Sequence, residues 1–283
     1  MSVLLAFAVV MLQFSAVDDI FKYECDYPKC KEILLEMNNQ ADSGSEKAEI
    51  LWRLSRVSLM LGESAADIES KRLHFKEGKS YAEKGIKEDP QNINCHMWHC
   101  ANTGRECQTH SLMEQAAAVP SMTRNLTEIL DKIGAVDCSE AWQALSEMYW
   151  HHPFKSDEAA VNYARKAAYC IPSDELRLST YIYLAELLYE RNWSSSRRAS
   201  EAKSNISRFK TGSKSNIDRY AYFDGASLPL PWTGSTIGAV SDREEARLIL
   251  KYAEDKYSRC NRLSPVDKED YKKLQKILSR NDN

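Results

Sequence analysis

Glycine and proline are scarce in this sequence, at 10 and 8 of 283 residues. So few turn formers exclude a sandwich or barrel of many short strands, each of which needs a turn signal at its end. An excess of charge of one sign is also lacking. The formal net charge is -3, which excludes a nucleic-acid binder driven by whole-molecule charge. The apolar run from Met1 to Ala16, broken only by Ser2, Gln13 and Ser15, is shorter than the ~20 residues that span a bilayer. No G-x-x-x-x-G-K-[ST], no strand-linked G-x-G-x-x-G and no H-E-x-x-H is present. With no catalytic constellation to read, a protein that is neither an enzyme nor a cofactor carrier is expected.

What is present points to helices. Ala, Leu, Glu, Lys and Arg dominate long stretches, as helices prefer. Residues 1–16 read either as a signal or anchor or as a first helix; no basic residue precedes the run, and Phe14 spoils an A-x-A cleavage pattern. From Val17 to Asn38, Ile20, Tyr23, Tyr27, Ile33, Leu34 and Met37 recur at near-helical spacing, with Pro28 marking a turn. A helix is expected over Glu46–Gly62, with Gly62 as its C-cap. Others are expected from about Asp67 to Lys87 and from Asn92 to about Arg105. The eight cysteines permit disulfides in a secreted chain, with Cys25/Cys30 and Cys95/Cys100 as local candidates, or small buried hydrophobes in a reducing one. Sequons at Asn125, Asn192 and Asn205 matter only in the secretory case.

A helix–turn–helix rhythm decides the expected architecture. Trp142, Leu145, Ser146 and Tyr149 precede a turn at Pro153, then come Ala160, Ala164 and Ala167, and Pro172 closes the unit. This resembles a tetratricopeptide repeat, in which small residues on the second helix let the first approach closely. Degenerate copies run from Trp52 and Leu59 through Ala82 to Pro90, and from Tyr181, Leu184, Ala185 and Leu188 through Ala199 and Ala202. Units of this kind cannot bury their apolar faces alone and stack on one another. The expected fold is therefore an all-α, tetratricopeptide-like α-α superhelix of stacked antiparallel helix pairs. Its helical domain is expected over 17–210, followed by a Gly/Pro-containing loop over 211–241 and C-terminal helices over 242–280.

Three segments are candidates for function. The loop carries Trp232, which either folds back over the helical groove or meets a partner. Arg197, Arg198, Lys203, Arg208, Lys210, Lys214 and Arg219 face only Glu201 and Asp218 in sequence, a basic stretch suited to an acidic polymer or, alternatively, a solvated face. In Cys95-His96-Met97-Trp98-His99-Cys100, Cys95 with His99 or His96 with Cys100 supplies two ligands at most, so no metal site is expected.

Two stretches resemble a known family. Ile50-Leu51-Trp52-Arg53-Leu54-Ser55-Arg56, preceded by Asp19, Tyr27 and Ile33-Leu34-Leu35, resembles the signature of the regulator of microtubule dynamics family. Tyr81-Ala82-Glu83-Lys84-Gly85-Ile86, followed by His96 and Trp98, is similar to its next helices. The resemblance implies a helical, non-enzymatic protein linked to microtubules and the spindle in the cytoplasm. On that reading protein partners, tubulin among them, dock in a groove and against the basic flank. The alternative is an anchored or secreted module that binds a lipid or peptide in its groove.

Overall fold

The computed structural model describes residues 12–110, 112–151 and 156–281, the side chains of 112–117 and 281 apart. Residues 1–11 of the expected apolar segment, and Pro153 of the expected turn, lie outside the described residues. Those that are described form an all-α protein in which sequential helices pack in pairs; among them no regular strand occurs. The chain divides into two compact units, Met1–Glu128 and Ile129–Asn283. The break falls inside the stretch 17–210 expected as a single helical domain.

In the first unit, residues 12–19 are helical (α1) and run into a π turn, Ile20–Glu24. There follow α2 (Tyr27–Gln40), α3 (Gly44–Ser64), α4 (Ile68–Glu88), α5 (Ile93–Gln108) and α6 (Leu112–Thr127). Polar side chains start them: Asp26, Ser43, Asp67 and Asn92 each accept the backbone N–H of the third residue of α2 to α5, at Lys29, Glu46, Ser70 and Cys95. Pro28 does not make a turn; it sits in the first turn of α2, where no backbone N–H is needed. Nor does Gly62 cap α3, which ends at Ala65. Gly62 is small because α4 lies against it, and a Cβ there would stand 2.5 Å from Phe75 Cε1. Phe75, Gly78, Ala82 and Gly85 form the buried stripe of α4, mostly small residues that let α3 and α5 close in. Phe14, Val17, Leu34, Ile50, Leu54 and Val57 make the core between α1, α2 and α3.

The second unit starts within a π turn at Glu128–Lys132, followed by the hairpin of α7 (Ser139–Trp150) and α8 (Asp157–Tyr169), then α9 (Leu178–Arg191) and α10 (Ser195–Ser207). The stretch expected as loop is structured: a π turn at Arg208–Gly212, α11 (Asn216–Tyr220), short 3-10 turns at Phe223–Ala226 and Ile237–Ala239, and one bridge between Pro229 and Thr236. α12 (Asp242–Ser258) and α13 (Pro265–Asn281) close the unit, α12 lying along α9. Phe223, Leu230, Trp232 and Ile237 join Tyr181, Leu184 and Leu188 of α9 and Ala246, Ile249 and Leu250 of α12 in one core. The Gly/Pro-rich segment is thus part of the hydrophobic interior.

Candidate functional site

The Trp52–Arg56 motif builds a clamp inside the first unit. Leu54 points into the core, and both arginines reach back to α1. Arg53 Nη2 lies 2.9 Å from Asp18 Oδ2, and Arg56 bonds the other oxygen of the same carboxylate. Arg53 also stands 2.9 Å from Glu49, which accepts the indole N–H of Trp52 at 2.9 Å and the amide of Asn92 at 2.9 Å. The guanidinium planes stack on rings, Arg53 between Phe14 (4.3 Å) and Trp52 (4.1 Å), Arg56 over Phe21 (3.8 Å). One carboxylate, two arginines and three aromatic rings therefore fasten α1 and its π turn to α3. Beside the clamp is an open recess of about 400 Å³ lined by Phe14, Asp18, Lys22, Tyr23 and Arg53.

The Cys95–Cys100 cluster is occupied by the fold. Cys95 Sγ donates to the Ala48 carbonyl, and burial pushes its thiol up to about 12, so it stays protonated. His96 Nε2 meets the Pro90 carbonyl at 2.9 Å, and Trp98 packs beside Trp52. His99 is bonded at both nitrogens, to Glu83 at 3.2 Å and to the Asn125 amide at 2.7 Å, and burial lowers its pKa. Among the described residues no group of three metal-ligating side chains converges. Nor do Cys25 and Cys30 form a disulfide; Cys30 Sγ donates to the Val17 carbonyl.

In the second unit α7 packs against α8 through aromatic and small side chains. Trp142 is fully buried, stacks on Tyr163 at 5.7 Å and donates to the Val136 carbonyl; Leu145 is buried beside it. Tyr149 meets Tyr163 edge-on at 5.1 Å. Ser139 and Ser146 donate to the carbonyls of Ala167 and Ala160, tying α7 to the alanine face of α8. Pro172 is exposed after the end of α8, and its carbonyl accepts from Lys256. The third repeat departs from expectation, because Ala199 is exposed and Ala202 only half-buried on α10.

Arg198 and Trp232 are not surface groups. Arg198 is 2% exposed, and its guanidinium lies 2.6 Å from Glu245 and 3.4 Å from Asp242. Glu245 also takes a two-pronged contact from Arg165, with both bonds at 3.0 Å, and the indole N–H of Trp232 at 3.1 Å. Asp242 in turn holds Arg191 at 2.7 Å. Burial alone would push the Glu245 carboxyl up; Arg165 and Arg198 outweigh that and hold it at about 2. Trp232 fills the space over α9 and α12, edge-on to Tyr181 at 6.5 Å and tilted against Tyr252 at 6.5 Å. The remaining six basic residues, Arg197, Lys203, Arg208, Lys210, Lys214 and Arg219, are exposed, and among the described residues none is ion-paired. Arg197 rests on Trp193 at 3.9 Å and Arg208 on Tyr222 at 5.1 Å. Asp218, one of two acids in the stretch, accepts from the Lys214 backbone N–H. Lys214 and Arg219 also line a recess of about 260 Å³ with Asp131, Ser213, Ser215 and Asn216.

The description of the family model that matches residues 14–127 is Regulator of microtubule dynamics protein 1-3. Those residues belong to that family. The match begins at Phe14 and so takes in every partner of the clamp: Phe14, Asp18, Phe21, Glu49, Trp52, Arg53, Arg56 and Asn92. The Trp52–Arg56 motif, which lies within the matched residues, is thus a packing device for the first unit. The match stops before the second unit and the basic segment. No curated protein matches the chain. Among the described residues no helix is long and apolar enough to cross a membrane.

Asp18, Arg165, Arg191, Asp242 and Glu245 were not singled out from the sequence. The available signal was charge in the wrong place. Arg165 interrupts the apolar face Val161–Ala168, and Glu245 precedes the apolar ladder Ala246, Ile249 and Leu250. A charged group at such a position needs a buried partner.

Proposed function

We propose that this protein is a non-enzymatic, microtubule-associated regulator that meets the acidic lattice through its exposed basic segment. The family match supports the microtubule link. The observation that carries the mode of contact is the set of six exposed cations over residues 197–219, free of ion pairs among the described residues, on a chain whose net charge is -3. Acidic, unstructured tubulin tails are the matching partner, since clustered exposed cations attract a polyanion at long range without a shaped cleft. A cytoplasmic location is supported by two of the sequons. The side-chain amides of Asn125 and Asn205 are buried and hydrogen-bonded, to His99 and Asp224, so a glycan at either would prevent the packing described.

Co-sedimentation with microtubules across a salt series tests the proposal. Pelleting at low salt that falls steeply as salt rises is expected, because exposed charges are screened beyond about 8–10 Å at physiological ionic strength. No pelleting at low salt would sink it.

A further inference from the structure

Helix α10 is fastened to the second unit by polar groups. Its two buried side chains are Arg198 and Asn205; the first goes to Glu245 and Asp242, the second donates to Asp224. Close backbone approach takes the place of apolar packing. A Cβ on Gly225 would stand 2.5 Å from the Asn205 carbonyl oxygen, and one on Gly238 2.9 Å from Ala199 Cα. An element that buries few apolar side chains opens at lower free energy than the core beside it. The outward face of α10 and its continuation carries Arg197, Ser200, Ser204 and Arg208, all exposed and one helical turn apart. Ser200 is preceded at the third and second positions by Arg197 and Arg198 and followed by Lys203. Basophilic serine kinases read that pattern, because carboxylates in their substrate clefts bind guanidinium groups upstream of the acceptor hydroxyl.

We propose that Ser200 is a phosphorylation site whose access is controlled by the burial of Arg198. The ion pairs to Glu245 and Asp242 hide one of the two arginines that the kinase reads, and opening of α10 releases it. In the transfer, the γ-phosphoryl group of ATP leaves its bond to the ADP oxygen and bonds Ser200 Oγ, while the hydroxyl proton passes to the kinase's catalytic base. The product places about -2 charge between Arg197 and Lys203, offsetting two of the six exposed cations. Resting on the microtubule reading above, phosphorylation weakens binding to an acidic lattice.

Labelling by ATP and the catalytic subunit of a cyclic-nucleotide-dependent kinase, with sites mapped by mass spectrometry, tests the proposal. A peptide of residues 193–204 is expected to be labelled at Ser200 fastest, and the wild-type chain roughly tenfold or more slowly, in proportion to its open fraction. Glu245→Gln should approach the peptide's rate. Trp232→Phe keeps an aromatic ring of smaller size but removes the indole N–H that bonds Glu245, and should speed labelling roughly two- to fivefold or more; if Glu245→Gln fails to fold, this variant carries the comparison. Three results overturn the proposal: an unlabelled peptide, a wild-type chain labelled as fast as the peptide, or a folded Trp232→Phe chain labelled no faster than wild type. Microtubule pelleting before and after labelling is read separately. An unmodified chain that never pellets defeats the function proposed above and leaves the labelling comparison to decide this one.

Discussion

In the first unit one carboxylate, Asp18, holds two arginines, Arg53 and Arg56; in the second, Glu245 holds Arg165 and Arg198. The stoichiometry is the same and the surroundings differ. The Asp18 side chain is 34% exposed, and its arginines spread their faces over Phe14, Phe21 and Trp52. The Glu245 side chain is 0% exposed and those of its arginines 1%, so each charge there depends on the others for what water would otherwise supply. The clamp fastens a helix near the surface, whereas the buried network specifies how α8, α10, α12 and the Trp232 segment meet. Each unit therefore uses arginine for architecture, and the exposed arginines of 197–219 are a separate class.

The largest expected consequence is at Glu245. Glu245→Ala leaves Arg165 and Arg198 buried without their main partner and should destabilise the chain by ~3–5 kcal/mol, read as a fall in the urea midpoint. An effect under about 1 kcal/mol would put the two clusters in one class. Next comes pH. Glu245 is held at about 2, below its ordinary 4.5. Its contribution is then fully present above about 4.5 and is lost as pH falls through about 2. Acid titration of the melting temperature should show this limb in wild type and lack it in a folded Glu245→Gln chain. Asp18→Asn is expected to cost about 1–2 kcal/mol, reduced by solvent screening and by salt, because the arginines keep their aromatic faces. The smallest effect is expected at the exposed Arg259–Asp255 pair, whose side chains are 67% and 58% exposed. Asp255→Ala there should change stability by about 0.3 kcal/mol or less.

The sequence was legible where packing follows from local spacing. Trp142, Leu145, Ala160, Ala164 and Ala167 lie within two adjacent helices, and their packing follows from helical period and side-chain size. The arginines of the Trp52–Arg56 motif were legible as a family mark, but their role was not, since Asp18 lies 35 residues from Arg53. Arg198 illustrates the limit best. It stands beside Arg197 in sequence, yet helical geometry turns adjacent residues about 100° apart, so one is exposed and the other buried. Glu245, which receives it, is 47 residues away. Gly62 misled for a similar reason, because its small size answers to Phe75 across the helix pair and not to a chain reversal.

The most direct test of the account separates the surface cations from the buried one. Arg208, Lys210 and Lys214 are exposed and ion-pair-free among the described residues. Replacing all three with Glu should leave the melting temperature near wild type and abolish co-sedimentation with microtubules at low salt. A triple variant that melts like wild type and still pellets with microtubules as wild type does would contradict it.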